Sequence, residues 1–339
     1  MKWVERLVFS VSQAGYLKHY IVAMDIRKEV QQAESLIRDY IRETPVEVSH
    51  CLSDATGAGV NFKCENLQYT GSFKFRGAVN KMLSLTNEER RRGVVAASTG
   101  NHGMAVALAM KKLGTGGVVF VPHGASTTKV SAIETYGAEV RYHGDDCVEA
   151  EAFARHYAHE NEMTYVSPYN DARIIGGQGT VGVELERQLN KIDAVFVALG
   201  GGGLITGIAG YMKSENPRIR IIGCSPQNSP VMIESIKAGK IVEMESKPTL
   251  SDGTAGGIEE GAITLNLCRE LMDDTVLVTE DEIASALRQF MEKHHMLIEG
   301  SAAVAIAAFL KQAETWAGKR VVIVLCGANI SLKTLKEIL

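Results

Sequence analysis

The chain has 339 residues, 45% of them hydrophobic and 22% charged, with a formal net charge of −4. That is an ordinary globular composition, enough for one large or two moderate domains. The mild negative charge argues against nucleic acid or an anionic membrane as the main partner.

Residues 1–25 read as an N-terminal extension, because the cleaner helical start is "MDIRKEVQQAESLIRDYI" from Met24. The first 20 residues lack a small-residue cleavage site, and Glu5 disfavours a signal peptide. Apolar residues at helical spacing continue over 26–43 and stop before Pro45. After Gly93 the chain alternates. "VVAAS" predicts a strand, "MAVALAMKKLG" a helix, "GVVFVP" a strand, "TTKVSAIETYG" a helix and "AEVRYH" a strand. "CVEAEAFARHYAHEN" and "MTYVSP" continue as helix and strand, followed by the helix "GQGTVGVELERQLN". The strand "DAVFVAL" then runs through four glycines into "LITGIAGYMKSENP", a helix, and "RIRIIGCSP" is the next strand. "EDEIASALRQFMEKHH" and "SAAVAIAAFLKQAETW" are helices, and "RVVIVLCGAN" a last buried strand. Short apolar strands alternating with longer helices predict parallel βαβ units, hence an α/β fold. The uncharged 19 residues from Ala194 to Met212 match a membrane span in length, but six are glycine, which favours strand, turn and helix.

The six cysteines form no C-x-x-C pair and no zinc-finger spacing, so they read as reduced thiols of a cytoplasmic protein. Gly200–Gly203 sit between a strand and a helix. Bare backbone N–H groups at a helix N-terminus bind phosphate, and one glycine would suffice for a plain turn. A nicotinamide cofactor requires G-x-G-x-x-G and an acid about 20 residues on. Here position 204 is leucine, and Cys224 and Ser225 stand where the acid belongs. No Lys-Ser/Thr pair follows, so a P-loop fails too. The run suits one compact phosphate.

The stretch "TGSFKFRGA" sets Lys74 in a glycine-flanked aromatic turn. Phe73 and Phe75 limit solvent there, and Gly71 and Gly77 leave room for a cofactor to approach. Lysine condenses with carbonyl groups when burial or charge lowers its pKa. A reactive lysine with a lone phosphate loop points to pyridoxal phosphate.

"SFKFRGA", "ASTGNHGMA", "GGGGL", "DGTAGG" and "CGAN", in that order, resemble the fold-type II pyridoxal-phosphate enzymes, above all the threonine/serine dehydratase and serine racemase group. The resemblance covers residues 26–335. It implies two open, twisted, parallel-sheet α/β domains of the tryptophan synthase beta-like kind, with pyridoxal 5'-phosphate between them. The large domain would comprise 26–90 and 170–339, and the small inserted domain 91–169. Lys74 would hold the cofactor and move the Cα proton. Phe73 would pack on the ring and Asn101 would bond its hydroxyl. Gly200, Gly201, Gly202 and Gly203, running into Leu204, would hold the phosphate. Ser98, Thr99, Gly100, Asn101 and His102 would grip the substrate carboxylate, largely through backbone N–H groups. Gly253 would border the substrate, Glu299 would lie near the ring, and Cys326 would face the ring nitrogen. A thiol is a weak donor, so the ring would be a modest electron sink, which fits β-elimination.

The activity implied is conversion of L-threonine or L-serine to a 2-oxo acid and ammonia. Thr99 stands where racemases of the group carry serine. A hydroxyl opposite Lys74 could return a proton to Cα, so racemase side activity stays open, while the stiffness of threonine favours a positioning or specificity role. Relatives with a divalent cation place carboxylates just after the strand that follows the glycines. Here those positions read "CSPQNSPV", with Ser225 and Val231, so no metal is expected. The chain stops soon after "CGANISLKTLKEIL", without the regulatory domain of biosynthetic threonine dehydratases, which implies a catabolic enzyme. The resemblance further implies a homodimer. The alternatives are a dehydratase of another β-hydroxy amino acid, of the phenylserine or hydroxyectoine-utilisation type, a serine racemase, or a nicotinamide-dependent oxidoreductase.

Overall fold

The computed structural model describes residues 24–339, so the reading of residues 1–23 lies outside the described residues. Met24 packs on the main core and the Asp25 carboxylate caps the helix Ile26–Ile37 by accepting from Lys28 N at 3.0 Å.

Among the described residues ten strands form two sheets. They are β1 (Val46–Val48), β2 (Gly59–Lys63), β3 (Val94–Ala97), β4 (Gly117–Val121), β5 (Glu139–Tyr142), β6 (Thr164–Tyr165), β7 (Ala194–Ala198), β8 (Arg220–Pro226), β9 (Asp274–Val278) and β10 (Arg320–Val324). The six-stranded sheet has the order β1-β2-β10-β7-β8-β9, and the four-stranded sheet β5-β4-β3-β6. β1 runs antiparallel to β2, and all other pairings are parallel. This is the α/β architecture expected from the alternation. Helices Val231–Ala238 and Ile263–Leu271, with β9, add to the elements that periodicity marks. Central strands of a parallel sheet are buried on both faces, which is why β7 and β10 read as unbroken apolar runs. Burying each such Val, Ile or Phe contributes about 1.5–3 kcal/mol. Among the described residues no helix is long and apolar enough to cross a membrane.

The helix Lys74–Leu83 joins the two sheets. Phe75, Ala78, Val79 and Met82, on its buried face, share one core with Val94 and Ala96 of β3 and Val119 of β4. Its opposite side packs on the long helix Ala172–Gln188 of the larger sheet. Two expectations are corrected here. Lys74 lies not in a turn but in the first turn of this helix, because the chain reverses earlier, at Thr70 and Gly71, which have φ of 65° and 69°. Gly77 leaves no room for a cofactor. A Cβ there would strike Gln178 and the Ile174 carbonyl, so this glycine serves close helix packing.

Candidate active site

Open α/β sheets place ligands beyond the carboxyl ends of their strands. Four such ends converge. β3 leads to Ser98–His102, β6 to Pro168, β7 to Gly200–Gly203 and β10 to Cys326. Lys74 Nζ donates to the Pro168 carbonyl at 2.8 Å. The next residue, Tyr169, lies against the glycine run. A Cβ on Gly201 would enter the Tyr169 ring, and one on Gly203 would sit 3.0 Å from Tyr169 Cα. A Cβ on Gly200 would come within 2.9 Å of Thr254 Cα. Beside Thr254, Gly253 faces Glu299, whose Oε1 would lie 3.5 Å from a Cβ there. Glu299 accepts two bonds from Asn101 Nδ2, at 2.9 and 3.0 Å, and a long one from Cys326 Sγ at 3.8 Å. The Cys326 carbonyl accepts from Phe73 N at 3.1 Å, which returns to Lys74. These contacts close a ring through both sheets.

Electrostatics follow from burial. The Lys74 amine is driven down to about 8 by burial, against the pull of Cys326, Glu299 and Glu151. It is therefore substantially neutral, and basic, near pH 8. Its Nζ also lies 5.2 Å from the centre of the Phe73 ring. Burial raises the Glu299 carboxyl to about 7, and raises the Cys326 thiol well above its ordinary value. A neutral thiol so placed is a weak donor. His102 is pushed down to about 3 by burial and by the nearby Lys74. It is neutral and donates from Nε2 to the Val166 carbonyl at 2.8 Å, so its side chain braces β6. Only the backbone of His102 is left for the carboxylate loop.

In that loop Ser98, Thr99 and Gly100 are partly exposed, and Ser98 Oγ accepts from Gly100 N at 3.1 Å. The loop opens the helix Asn101–Leu113, whose first N–H groups have no intrahelical acceptor. Among the described residues no hydrogen bond ties Thr99 to Lys74. Leu204 is buried in the first turn behind the glycines.

No side chain caps the helix Gly203–Glu215, and Gly202 takes the left-handed φ of 86°, so the N–H groups of the glycine run stand bare at the helix end. Among the buried hydroxyls of the described residues that find no partner are Ser72 Oγ, two positions before Lys74, and Thr264 Oγ1, on a residue whose Cβ would lie 3.1 Å from a Cβ on Gly202. Unpaired buried hydroxyls beside a bare helix N-terminus and an amine depressed to about 8 suit an anionic aldehyde. The residues present fit pyridoxal phosphate. At the position considered for a metal, Ser225 Oγ donates to the Leu199 carbonyl at 2.9 Å. Among the described residues no cluster of three His, Cys, Asp or Glu is arranged to hold a metal ion.

Sequence reasoning passed over Pro168, Tyr169, Thr254 and Asn329. Asn329 sits within "CGAN", and its Nδ2 donates to Asn101 Oδ1 at 2.5 Å and to the Thr70 carbonyl at 2.8 Å. Thr254 likewise sits within "DGTAGG", whereas no local pattern marks Tyr169; the roles of both arise from contacts with distant glycines.

Glu299 gives a pH prediction. Its folded pKa lies above the ordinary 4.5, so its contribution to stability is complete below about 4.5 and is lost as pH rises through about 7. Glu299→Gln removes that dependence. The drop in Tm between pH 5 and pH 8 is expected to shrink in the variant, and thermal unfolding at the two pH values checks it. An unchanged drop would mean that Glu299 is ionised in the folded protein throughout.

A buried lysine with a lowered pKa at the junction of two parallel sheets, linked through Pro168 and Tyr169 to a bare glycine run at a helix N-terminus, fits the class of fold-type II pyridoxal-phosphate enzymes. The family model described as "Pyridoxal-phosphate dependent enzyme" matches residues 37–327, and the chain belongs to that family. It is 38% identical over 312 residues to the L-threonine ammonia-lyase of Thermotoga maritima, covering 92% of this chain and 77% of that protein. It is 39% identical over 319 residues to the catabolic L-threonine dehydratase TdcB of Escherichia coli K12, covering 94% and 96%. Among solved structures, maize serine racemase superposes with a TM-score of 0.86 at 33% identity, covering 92% of this chain and 95% of that one. The processed threonine deaminase isoform 2 of Solanum lycopersicum gives 0.88 at 33% identity, covering 93% of each.

Proposed function

We propose that this protein is a pyridoxal-phosphate-dependent ammonia-lyase that converts L-threonine, and L-serine, to 2-oxobutanoate or pyruvate and ammonia. The observation that carries this reading is the Lys74 amine, brought down to about 8 by burial inside the ring of Phe73, Pro168, the glycine run, Glu299 and Cys326. Its agreement with relatives named threonine ammonia-lyase or dehydratase supports the substrate.

When bound, pyridoxal phosphate supplies a ring that withdraws the charge developing at the substrate Cα. The protein does the rest. Backbone N–H groups of Gly200–Gly203 and the end of their helix hold the phosphate, with Leu204 packed behind them. The loop Ser98–His102 presents N–H groups to the substrate carboxylate and so orients the Cα–H bond, with Gly253 at the border of the substrate. Lys74 Nζ takes the Cα proton. Asn101, steered by Glu299 and Asn329, addresses the ring hydroxyl. Cys326 offers the ring nitrogen only a weak donor, which favours prompt loss of the β-hydroxyl over long charge storage. The proton and hydroxyl leave as water, and water returns at the carbon bearing nitrogen to free ammonia. Thr99 positions the substrate. The small lobe is residues 91–169 and the large lobe 26–90 with 170–339. Cytoplasmic location and a homodimer complete the reading, the former supported by the free thiols of Cys64, Cys224, Cys268 and Cys326.

The test is 2-oxo acid formation by cofactor-loaded protein from L-threonine, L-serine and L-threo-phenylserine, with D-serine assayed from L-serine. Fastest release of 2-oxobutanoate from threonine is expected. No oxo acid from threonine or serine would overturn the reading. Turnover of phenylserine would then identify the bulkier substrate, and D-serine the racemase.

A further inference from the structure

Two residues beyond Lys74 lies Arg76, whose side chain is 0% exposed. All five of its N–H donors are used. Nε and Nη2 grip Glu65 at 2.7 and 2.8 Å, while Nη1 and Nη2 grip Glu184 at 2.7 and 2.8 Å. Nη1 also donates to Thr180 Oγ1 at 3.1 Å, and Nη2 to Thr44 Oγ1 at 3.4 Å. Glu184 Oε2 accepts in addition from Lys63 Nζ at 2.6 Å. The four fully buried charged groups, two positive and two negative, cancel.

We propose that Arg76 is a positioning residue, whose double fork onto Glu65 and Glu184 sets the rotation of the helix Lys74–Leu83 and thereby aims the Lys74 amine. The inference rests on Lys74 being the reacting lysine. Residues two apart on a helix point to nearly opposite sides. Arg76 thus reaches into the core while Lys74 faces the ring of contacts. The backbones meet closely at this crossing, since a Cβ on Gly177 would stand 2.6 Å from the Arg76 carbonyl and 2.7 Å from Gly77 Cα. A glycine-to-glycine crossing is itself smooth; besides the Arg76 forks, register is held by single contacts, Gly77 N to Gln178 Oε1 at 3.2 Å, Asn80 Nδ2 to the Arg173 carbonyl at 2.6 Å and Lys81 Nζ to Asp171 at 2.7 Å. Bidentate guanidinium–carboxylate pairs are directional and resist both rotation and sliding. Buried ion pairs are weak contributors to stability relative to apolar residues of like volume. What this cluster adds over a greasy contact is orientation. Rotating the helix by roughly 10° at a side-chain radius of about 6 Å moves Nζ by about 1 Å. A misplacement of about 1 Å costs about 100-fold in rate.

Arg76→Lys tests this, because lysine keeps the charge and loses the fork. The expected result is a fall in kcat on threonine of about 10- to 100-fold, with KM nearly unchanged. A second readout needs no turnover. Competitive acetylation of the full chain freed of cofactor, followed across pH by peptide mass spectrometry, reports the titration of Lys74. Its midpoint is expected to rise from about 8 toward the ordinary lysine value as the amine shifts toward solvent. Wild-type kcat in folded Arg76→Lys overturns the proposal, and so does a fall in kcat with the Lys74 midpoint unmoved. Should Arg76→Lys not fold, Glu65→Gln, which weakens one fork and leaves the other, is judged by the same two readouts. Borohydride reduction of the cofactor-loaded wild type separates the role of Lys74 from that of Arg76. No label on Lys74 would sink the functional reading, whereas a Lys74 label with indifferent variants would sink only the role of Arg76.

Discussion

Lys74→Ala is expected to lower kcat on threonine by at least about a thousandfold while leaving the protein folded. General-base transfer by a positioned side chain accounts for about 10²–10⁴ in rate, and this lysine is also the group that would tether the cofactor. A larger residual rate would require another base at Cα, and the ring holds none to spare. His102 is pushed down to about 3, so the ring nitrogen left free while Nε2 donates to the Val166 carbonyl is a poor base. Glu299 is engaged by Asn101 and Asn329. The same variant has a stability signature. Lys74 has a folded pKa of about 8 against an ordinary 10.5, so between those values the unfolded chain binds more protons, and stability rises with pH across that window. Below about 8 the penalty for charging a buried amine is complete. Lys74→Ala should therefore be as stable as the wild type at pH 7, or more so, and flatter from pH 8 to 10. Absorbance of the bound cofactor and turnover check the first effect, and Tm across pH of the chain freed of cofactor checks the second. Full turnover with an unaltered cofactor band would remove Lys74 from the chemistry. On the proposed reading this is the usual conflict between stability and activity, with a buried amine kept for the reaction.

Gly201→Ala carries the second large effect. Its new methyl group would enter the Tyr169 ring. That ring has little freedom to leave, because its hydroxyl accepts from Glu259 N at 2.8 Å and Pro168, just before it, receives Lys74. Either the loop lifts or Tyr169 is expelled, and both disturb the N–H groups that face the phosphate. Overpacking of this kind costs about 1–3 kcal/mol, which is about 5- to 150-fold in affinity if it falls on cofactor binding. Fluorescence titration of cofactor into the freed chain measures it. Gly124→Ala is the control, since a Cβ there meets nothing within 4 Å. Equal affinity for wild type and Gly201→Ala would mean that the phosphate is held elsewhere.

The two variants separate what was legible from what was not. The strand–helix alternation is a local property, written in stretches such as "DAVFVAL" and "GVVFVP", and the parallel sheets follow from it. The chemistry of the site was equally local. A lysine between phenylalanines and four glycines before a helix are short-range facts, and the order of five motifs tied them to one family.

Purpose within those motifs was less legible. Gly77 looked like space for a cofactor and is space for a helix. Four glycines looked like room for phosphate alone, yet Tyr169 and Thr254 also demand Gly200, Gly201 and Gly203. Arg76, two residues after the lysine in sequence, points away from it into a buried cluster with Glu65 and Glu184. In each case the partner is remote in sequence and no periodicity announces it. By itself the sequence determined the fold class and singled out Lys74 and the glycine run as candidates, because propensity, periodicity and backbone N–H geometry act over a few residues. Only the tertiary structure decided how basic Lys74 is, what braces it and which glycines serve packing. Burial and directional hydrogen bonds are properties of residues brought together from far apart along the chain.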